Sequence, residues 1–367
     1  MADISDFLIV GGGVIGLMLT RELALAGASV TLVERGICAK EASWAGGGIV
    51  SPLYPWRYSS AVTQLATWSQ SSYIHLSADL TDETGIDPEL RQKGMYMVDV
   101  EDREAALSWA AKYHRPLMSV DAGHLYRHEP QFIQGYQSAL WMPEVSSIRN
   151  PRLGQALRRS VMRLPNVTLK ENKGAERFVV EGEFVRGIQT DQEAIMAGHT
   201  IVASGSWTGD LLSTLSVSLP VEPVKGQMMV FKAKPSIVNR VILMAGRYVI
   251  PRNDGRILVG STLEREGFDK QTTESARTSL YQTAVGIIPA LADFPVEHHW
   301  AGLRPGSPEG IPFIGEVPGY QGLSVNAGQY RNGLVLAPAS TRLQADLLLD
   351  RAPVIDPRPY QLAGRLG

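Results

Sequence analysis

The N-terminal region of the chain consists of short apolar runs separated by glycines. An apolar run at residues 7–10 precedes Gly11-Gly12-Gly13, and a segment with helical apolar spacing continues to Ala26. Gly27 ends that segment, and a second apolar run over 30–33 leads to Glu34. Short apolar runs are typical of buried strands, whereas recurrence every three to four residues is typical of a helix. The pattern therefore predicts a βαβ unit at the start of the chain.

The remaining sequence mixes both kinds of pattern and shows no repeat of fixed length. Helical spacing predicts further helices at residues 60–80, 102–113, 152–163, 272–287 and 333–349. Short apolar or alternating runs predict strands at residues 95–100, 167–169, 178–185 (a pair that turns near Gly182), 201–203, 226–232, 247–251, 256–260 and 323–326. The stretch from Pro143 to Pro151 is predicted as a loop, and no flexible linker divides the chain.

Composition is that of an ordinary globular protein. Hydrophobic residues make up 44% of the 367 residues and charged residues 20%, which favours a buried core over disorder. The formal net charge of −2 argues against a basic surface for nucleic acid. The apolar stretch at 7–19 is interrupted by glycines, is too short to span a membrane and lacks a positively charged start. We therefore predict a cytoplasmic protein with no integral membrane segment and no nucleic-acid partner.

Cysteine and histidine offer no disulfide and no evident metal site. Cys38 is the only cysteine, so an internal disulfide or a CxxC pair cannot form, and a reducing compartment is favoured. His124 and His128 are spaced to share one face of a helix, but no third ligand accompanies them. We predict no metal.

Glycines at the first turn have the spacing of a dinucleotide-binding motif. Gly11, Gly13 and Gly16 stand between a predicted strand and helix, and Glu34 ends the next strand. Gly11 allows a tight turn, Gly13 lets the backbone approach a pyrophosphate, and Gly16 lets helix and strand pack closely. The helix N-terminus favours phosphate, and Glu34 suits ribose hydroxyls and disfavours the 2′-phosphate of NADP. The alternative is an ordinary βα turn in which glycine serves geometry alone.

A second glycine-rich stretch follows closely, at Glu41-Ala42-Ser43-Trp44-Ala45-Gly46-Gly47-Gly48. Two such stretches near each other suit a large cofactor and favour FAD over NAD. With this stretch the sequence resembles the FAD-dependent amino-acid oxidases of the glycine oxidase and D-amino-acid oxidase type, and most of all bacterial glycine oxidases of thiamine biosynthesis. The resemblance extends from Phe7 to about Leu349, and residues 202–209, 300–306 and 327–338 also carry it.

The resemblance implies an α/β fold with a Rossmann-type, GR2-like FAD-binding domain and an inserted substrate domain built on an antiparallel sheet. Dinucleotide signals at both ends of the chain fit a discontinuous FAD-binding domain. We predict that it comprises residues 1–85, 145–220 and 297–367, and that the substrate domain comprises 86–144 and 221–296. Some related amine oxidases bind flavin covalently through a cysteine in the C-terminal part of the chain; no cysteine occurs there, so FAD is predicted to be noncovalent.

The motifs and the resemblance together assign one set of residues to FAD. These residues are Gly11, Gly13, Val14, Ile15, Gly16, Glu34, Arg35, Ser43, Ala45, Gly46, Gly47, Gly48, Ala175, Gly205, Trp207, Gly328, Arg331, Asn332, Gly333 and Leu334. The segment 171–176 resembles the strand whose backbone holds adenine, with Ala175 where the family often has Val. The start of the last helix suits the flavin edge that becomes negative on reduction.

Three residues are predicted to act on the substrate. Arg304 lies in a Gly/Pro-rich segment that we predict to be a turn, where a guanidinium needs an anionic partner. That partner could be an acid of the chain itself, but the resemblance implies the substrate carboxylate. The resemblance also assigns Tyr248 to the carboxylate and Arg331 to the active site; alternatively Tyr248 faces the core and Arg331 is a surface residue. Leu263 is predicted to line the substrate pocket, where the best-known pattern has Met. Arg252 is predicted to be solvated.

The predicted reaction is oxidative deamination of glycine, with sarcosine and D-alanine as further small amines. The products would be glyoxylate or the 2-oxo acid, ammonia and H₂O₂, with O₂ as the second substrate, and the implied role is thiazole synthesis for thiamine. Alternatives are a D-amino-acid or sarcosine oxidase, a dehydrogenase with another electron acceptor, and a flavin-binding protein without turnover. The sequence leaves the oligomeric state open, and a homo-oligomer is compatible with it.

Overall fold

The computed structural model describes residues 4–367, and this part of the chain forms nine α-helices and nineteen strands. The helices are α1 (Val14–Leu25), α2 (Ala42–Ala45), α3 (Ser60–Thr84), α4 (Arg103–Lys112), α5 (Ala122–His128), α6 (Asn150–Met162), α7 (Thr208–Ser213), α8 (Glu274–Ile287) and α9 (Gly333–Leu348). The strands are β1 (Ser5–Val10), β2 (Val30–Glu34), β3 (Ile49–Val50), β4 (Arg91–Gln92), β5 (Met95–Val98), β6 (Met118–Asp121), β7 (Ser138–Met142), β8 (Ser146–Ser147), β9 (Val167–Glu171), β10 (Arg177–Glu181), β11 (Phe184–Gln189), β12 (Ala194–Val202), β13 (Glu222–Lys232), β14 (Val241–Met244), β15 (Arg247–Pro251), β16 (Arg256–Gly260), β17 (Val296–Gly306), β18 (Phe313–Glu316) and β19 (Leu323–Ala327).

The first large sheet is parallel at its centre. Its order is β10-β11-β12-β1-β2-β9, and β19 joins β12 and carries β18 at its other side. Strands β1, β2, β9, β12 and β19 run parallel, whereas β10, β11 and β18 pair antiparallel. Apolar residues of α1, α3, α6 and α9 form one core cluster with this sheet, and α7 contributes to a second. Helices on both sides of a mostly parallel sheet are the hallmark of a Rossmann-type arrangement.

The second large sheet is almost entirely antiparallel. Its order is β17-β13-β16-β15-β14-β5-β7-β6, and only β14 and β5 run parallel. Helices α5 and α8 contribute to the core cluster on one side of it. The cluster on the other side includes Met228 and Tyr248, the latter assigned to the substrate. The predicted α/β fold, with a Rossmann-type sheet and an antiparallel second sheet, is confirmed.

The structure corrects the prediction around Arg304. Residues 300–306 are not a turn: they belong to β17, which runs antiparallel to β13 along nearly its whole length. The sequence did not predict this strand because it is rich in glycine and proline, which are depleted from strands in general. Gly302 pairs with Gly226, and both make room for side chains: a Cβ on Gly226 would lie 2.2 Å from the Arg304 guanidinium, and a Cβ on Gly302 would lie 2.4 Å from the Ala45 Cβ.

Other elements also lie outside the predicted pattern. The sequence analysis missed β6, β7, β14, β18 and α5, and placed the start of α6 two residues late. The loop predicted at 143–151 contains β8 and the first residues of α6. The segment 172–176, compared above with an adenine-holding strand, is a loop after β9. The predicted domain limit at 297 falls inside β17, and the domain division itself stays a prediction.

Candidate active site

A cavity of about 430 Å³ has walls from both large sheets. The first sheet supplies the turn after β1, the end of β2 and the residues that follow β12. The second sheet supplies Gly226, Met228, Tyr248 and Arg304. The glycine-rich stretch at 43–48 and the start of α9 complete the lining. Most residues assigned to FAD and to the substrate thus surround one space.

The turn between β1 and α1 has room for backbone but not for side chains. Gly11 has φ +112°, and a Cβ there would lie 2.5 Å from the carbonyl oxygen of Ala203. A Cβ on Gly16 would lie 1.8 Å from the oxygen of Gly11. These approaches give the glycine motif its physical basis, since any larger residue would push helix and strand apart. Gly13, by contrast, lines the cavity, and its Cβ would meet only Ser43 Oγ at 3.3 Å.

Glu34 lines the cavity at the end of β2. Its carboxylate accepts hydrogen bonds from the backbone N–H of Gly12 at 2.7 Å and of Gly36 at 2.9 Å. Each carboxylate oxygen can accept more than one bond, so this arrangement fixes the group and leaves lone pairs for a ligand. The position predicted for a ribose-binding acid is therefore occupied by an oriented carboxylate.

The second glycine-rich stretch is fastened to the first motif. Ser43 Oγ accepts a hydrogen bond from the backbone N–H of Val14 at 2.8 Å, and Asn150 Nδ2 donates to the Ser43 carbonyl at 2.9 Å. Gly47 lies against Tyr248, whose Cε2 would be 3.0 Å from a Cβ. At Gly48, where φ is +80°, a Cβ would lie 2.0 Å from the Ile148 carbonyl oxygen. The backbone here can therefore pass between the cavity and the second sheet only as glycine.

Arg252 is not solvated, contrary to the prediction, but buried at 5% exposure. Its guanidinium donates to the carbonyl oxygens of Ile148 and Gly47, each at 2.8 Å. Burial, reinforced by the nearby charge of Arg149, lowers the pKa of Arg252 to about 10. One overlooked signal is the position of Arg252 directly after an apolar strand and before a turn, where the five donors of a guanidinium can reach back to loop carbonyls.

Arg304 projects from β17 to the cavity and forms no ion pair within residues 4–367. It donates to the carbonyl oxygens of Lys225 at 3.3 Å and Thr262 at 3.2 Å, and to Ser261 Oγ at 2.7 Å. Burial lowers the pKa of Arg304, and Arg331 acts in the same direction, while Tyr248 raises it. The predicted alternative of an internal salt bridge is absent from the described residues, so the guanidinium can accept an anionic ligand.

Tyr248 lies in β15, buried, with its ring between Gly47 and Gly260. A Cβ on Gly260 would stand 2.9 Å from the hydroxyl oxygen, so the ring is held by glycine backbone on both sides. The hydroxyl donates only to the thioether of Met228, at 3.7 Å. A thioether is a weak acceptor, and a carboxylate would replace it readily.

The start of α9 also faces the cavity. Asn332, Gly333 and Leu334 line it, and the N-cap forms no side-chain hydrogen bond. Asn332 Nδ2 is buried without a hydrogen-bond partner, and Arg331 is exposed beside it. The first N–H groups of a helix have no partner inside the helix and favour negative charge. This end of the cavity therefore suits an electron-rich, hydrogen-bonding ligand edge.

An aromatic residue and an arginine form another part of the cavity lining. The guanidinium of Arg35 lies 3.5 Å from the ring centroid of Trp207, a cation–π contact. Both residues line the cavity together with Ala175 and Gly205.

The structure places three assigned residues away from the lining. Gly16 and Gly328 lie behind it, and Gly328 accepts a hydrogen bond from Ser307 Oγ at 2.5 Å through its carbonyl. Leu263, predicted in the substrate pocket, is 51% exposed on the surface. The sequence analysis in turn missed further lining residues, among them Leu53, Asn150, Met228, Gln329 and Tyr330.

These observations fit FAD. The cavity is lined by two helix N-termini, an oriented carboxylate and a glycine stretch that a Cβ would obstruct. Besides Asn332 Nδ2, Asn150 Oδ1 is buried at the cavity without a partner. Buried polar atoms seldom stay unpaired, so unpaired ones beside a cavity indicate a polar ligand.

Comparison with known proteins agrees with this geometry. Residues 6–347 match the family described as DAO, FAD dependent oxidoreductase. The chain belongs to this family. It is 53% identical to the glycine oxidase of Pseudomonas aeruginosa over 98% of both chains. It is 31% identical to the bifunctional protein ThiO/ThiG of a Nostoc species, over 94% of this chain and 53% of that protein. The crystal structure of glycine oxidase from Geobacillus kaustophilus superposes with a TM-score of 0.93, at 27% identity and 99% coverage of each chain.

Family membership makes the protein an FAD-dependent oxidoreductase and FAD its cofactor. In residues 4–367 no helix has the length and apolar character needed to cross a membrane. The same residues contain no cluster of three or more metal-binding side chains, and the rings of His124 and His128 pack on each other at 4.5 Å.

Proposed function

We propose that this chain oxidises glycine to glyoxylate and ammonia, with sarcosine and D-alanine as weaker substrates. The observation that carries the proposal is Arg304, a half-buried arginine at the cavity with no acidic partner among residues 4–367. Such a group suits one carboxylate in a fixed orientation. The 53% identity to a glycine oxidase supports glycine as the amino acid.

Arg304 and Tyr248 act on the carboxylate. The guanidinium would hold it, and the Tyr248 hydroxyl would exchange its weak bond to Met228 for a bond to a carboxylate oxygen. Because both groups are fixed by the second sheet, they orient the α-carbon toward the glycine-lined part of the cavity. Such positioning accounts for much of the rate that an enzyme adds to a reaction of this kind.

The charges at the site also select the protonation state of the amine. Arg304 and Arg331 both carry positive charge near the cavity, which disfavours an ammonium group beside them. A neutral amine keeps the lone pair that imine formation requires. Bound FAD supplies the acceptor for the hydride that leaves the α-carbon. The backbone N–H groups at the start of α9 have no partner within the helix, and they would stabilise the negative charge of a reduced flavin at that side of the cavity.

O₂ is the proposed electron acceptor, with H₂O₂ as its product, and noncovalent binding is proposed for FAD. Cys38, the single cysteine, is buried and lies outside the cavity lining, which supports noncovalent binding. The relationship to a protein named ThiO/ThiG supports a role in thiamine synthesis. We also propose, from the sequence, that the protein is located in the cytoplasm and forms a homo-oligomer.

The purified holoenzyme should be tested with glycine, sarcosine and D-alanine, with H₂O₂ formation and reduction of an artificial dye measured in parallel. We expect kcat/KM to be highest for glycine, with stoichiometric H₂O₂. Anaerobic glycine should bleach the flavin absorbance. Bleaching without H₂O₂ would indicate a dehydrogenase, and no bleaching by any of the amines would refute amine oxidation.

A further inference from the structure

The segment 261–273, which joins β16 to α8, provides most of the contacts of the Arg304 guanidinium. Two of its three partners, Ser261 Oγ and the Thr262 carbonyl, are at the start of this segment. The third is the carbonyl of Lys225 on β13. Since no acid fixes the guanidinium within the described residues, its orientation depends on where this segment lies against β13.

Lys225 holds the segment through both its backbone and its side chain. Its N–H and carbonyl pair with the backbone of Glu264 at 2.9 and 3.0 Å. Its ammonium is fully buried and contacts Glu266 at 2.6 Å, Asp269 at 2.9 Å and Glu264 at 3.5 Å. Lys225 therefore has two roles: its carbonyl accepts the hydrogen bond from Arg304, and its ammonium contacts three carboxylates of the segment.

Gln227 forms hydrogen bonds with both ends of the segment. Its backbone N–H donates to Thr262 Oγ1 at 2.8 Å, and its Oε1 accepts from the N–H of Thr273 at 3.0 Å. Lys225 and Gln227 are two residues apart, so both side chains leave the same face of β13. The two side chains that attach the segment to β13 therefore lie on the same face of this strand.

The far part of the segment contacts further residues of the cavity lining. Phe268 stacks on Trp207 with ring centroids 5.5 Å apart, and Lys270 Nζ lies 3.0 Å from Glu41. Trp207 and Glu41 both line the cavity. The segment is thus a strap that leads from the contacts with Arg304 to the contacts with Trp207 and Glu41, and most of it is otherwise exposed.

We propose that Lys225 is a positioning residue for the substrate carboxylate site, acting through the 261–273 strap on Arg304. The inference rests on the proposed role of Arg304. Without the ammonium, three carboxylates would stay close together with no buried counter-charge, and the strap would move away from β13. Ser261 and Thr262 would move with it, so the guanidinium would lose its fixed direction.

The test compares Lys225→Met with Lys225→Arg, which keeps the charge. The double variant Glu266→Gln/Asp269→Asn removes two of the carboxylates that contact Lys225 and changes only exposed positions. It therefore tests the same contacts if Lys225→Met fails to fold. Glu222→Gln is the matched control, since Glu222 pairs with the strap residue Arg265 at a site where both side chains are at least 67% exposed. Exposed pairs of this kind contribute little.

Three quantities are measured for each holoenzyme. They are the dissociation constant of glycolate, read from the flavin absorbance, the KM and kcat for glycine, and the rate of trypsin cleavage after Arg265 and Lys270. Lys225→Met should raise the glycolate dissociation constant and KM about tenfold or more and change kcat less, because a carboxylate anchor acts in ground and transition state alike. Cleavage should accelerate. Lys225→Arg should recover part of the loss, and Glu222→Gln should match the wild type.

The outcomes separate this inference from the proposed function. If the wild type oxidises glycine and both Lys225→Met and the double variant keep its KM and glycolate affinity, the positioning role is refuted. A fall in kcat or FAD content with unchanged KM would refute it as well. If the wild type does not oxidise glycine but Lys225→Met weakens glycolate binding, the proposed reaction fails and the positioning of the carboxylate site stands.

Discussion

Arg252 is buried and Arg304 is half-buried, and neither forms an ion pair in the described part of the chain, yet their surroundings differ. Arg252 uses its guanidinium on two backbone carbonyls that shape the cavity wall. Arg304 has one good side-chain bond and two long ones to carbonyls, which leaves donors free toward the cavity. Residue type alone predicts neither role, because the outcome depends on which acceptors the fold brings near.

Arg304→Ala should abolish most of the specificity for a carboxylate. Loss of one partner from a buried charged pair costs about 2–5 kcal/mol, so kcat/KM for glycine should fall about thirtyfold or more. FAD content, measured from the absorbance ratio of flavin to protein, should stay near one. An unchanged kcat/KM would refute the carboxylate role.

Arg252→Met should weaken FAD binding and leave the carboxylate site in place. The Gly47 and Ile148 carbonyls would lose their donors, at about 1–3 kcal/mol for an unsatisfied buried group, and the 46–48 backbone would shift. We expect the dissociation constant of FAD, from fluorescence titration of the apoprotein, to rise about fivefold or more. Arg247→Met is the control, since Arg247 bonds Ser279 and Thr283 away from the cavity. Equal affinities for both variants would contradict the role of Arg252.

At the scale of elements, the β1–α1–β2 unit is the part that the sequence predicts best. The predicted strand, helix and strand differ from the observed ones by two residues at most, because apolar spacing and glycine at the turn both act locally. Strand β17 shows the opposite case. Its Gly/Pro-rich end is a strand only because ten residues of β13 pair with β17, and such long-range pairing leaves no local pattern.

Two alanine substitutions in the turn before α1 should separate folding from cofactor binding. Gly16→Ala places a methyl group 1.8 Å from the Gly11 carbonyl oxygen, so the apoprotein should lose about 1–3 kcal/mol of unfolding free energy in urea. Gly13→Ala meets only Ser43 Oγ at 3.3 Å and keeps an ordinary φ of −71°, so apoprotein stability should hardly change. Both variants should bind FAD weakly by fluorescence titration. Normal FAD binding by Gly13→Ala would show that the backbone of Gly13 does not approach the cofactor.

At the scale of the whole molecule, the sequence indicates many of the residues that line the cavity, but not the residues that hold this lining in place. Glycines, Glu34 and Tyr248 carry recognisable patterns and do line one cavity. Leu263 illustrates the limit, since an apolar residue near site residues in sequence is exposed in space. Asn150, Arg252 and Lys225 support the site from positions that no motif marks, because each acts through contacts between segments about forty to two hundred residues apart.

Glu129 gives the folded molecule a pH dependence opposite to that of its surface carboxylates. It lies fully buried at the end of α5 and accepts a bond from the backbone N–H of Asn239 at 2.9 Å, with Arg240 3.5 Å away. Burial raises the pKa of Glu129 to about 7, although Asn239 and Arg240 oppose the rise. In the unfolded chain a glutamate titrates near pH 4.3. Between about pH 4.3 and 7 the folded state therefore binds more protons, and this residue's contribution to stability falls as pH rises.

The difference in unfolding free energy between wild type and Glu129→Gln isolates this effect. Urea denaturation of the two proteins at pH 4.5, 5.5, 6.5 and 8 should show the wild type losing stability relative to the variant as pH rises, by up to about 3 kcal/mol, with the change levelling off above about pH 8. Glutamine cannot ionise, so all other titrating groups cancel in the difference. Glu316→Gln, at an exposed position of β18, should show no such trend. A constant difference across the series would mean that Glu129 is ionised in the folded protein throughout, with Arg240 as its effective partner.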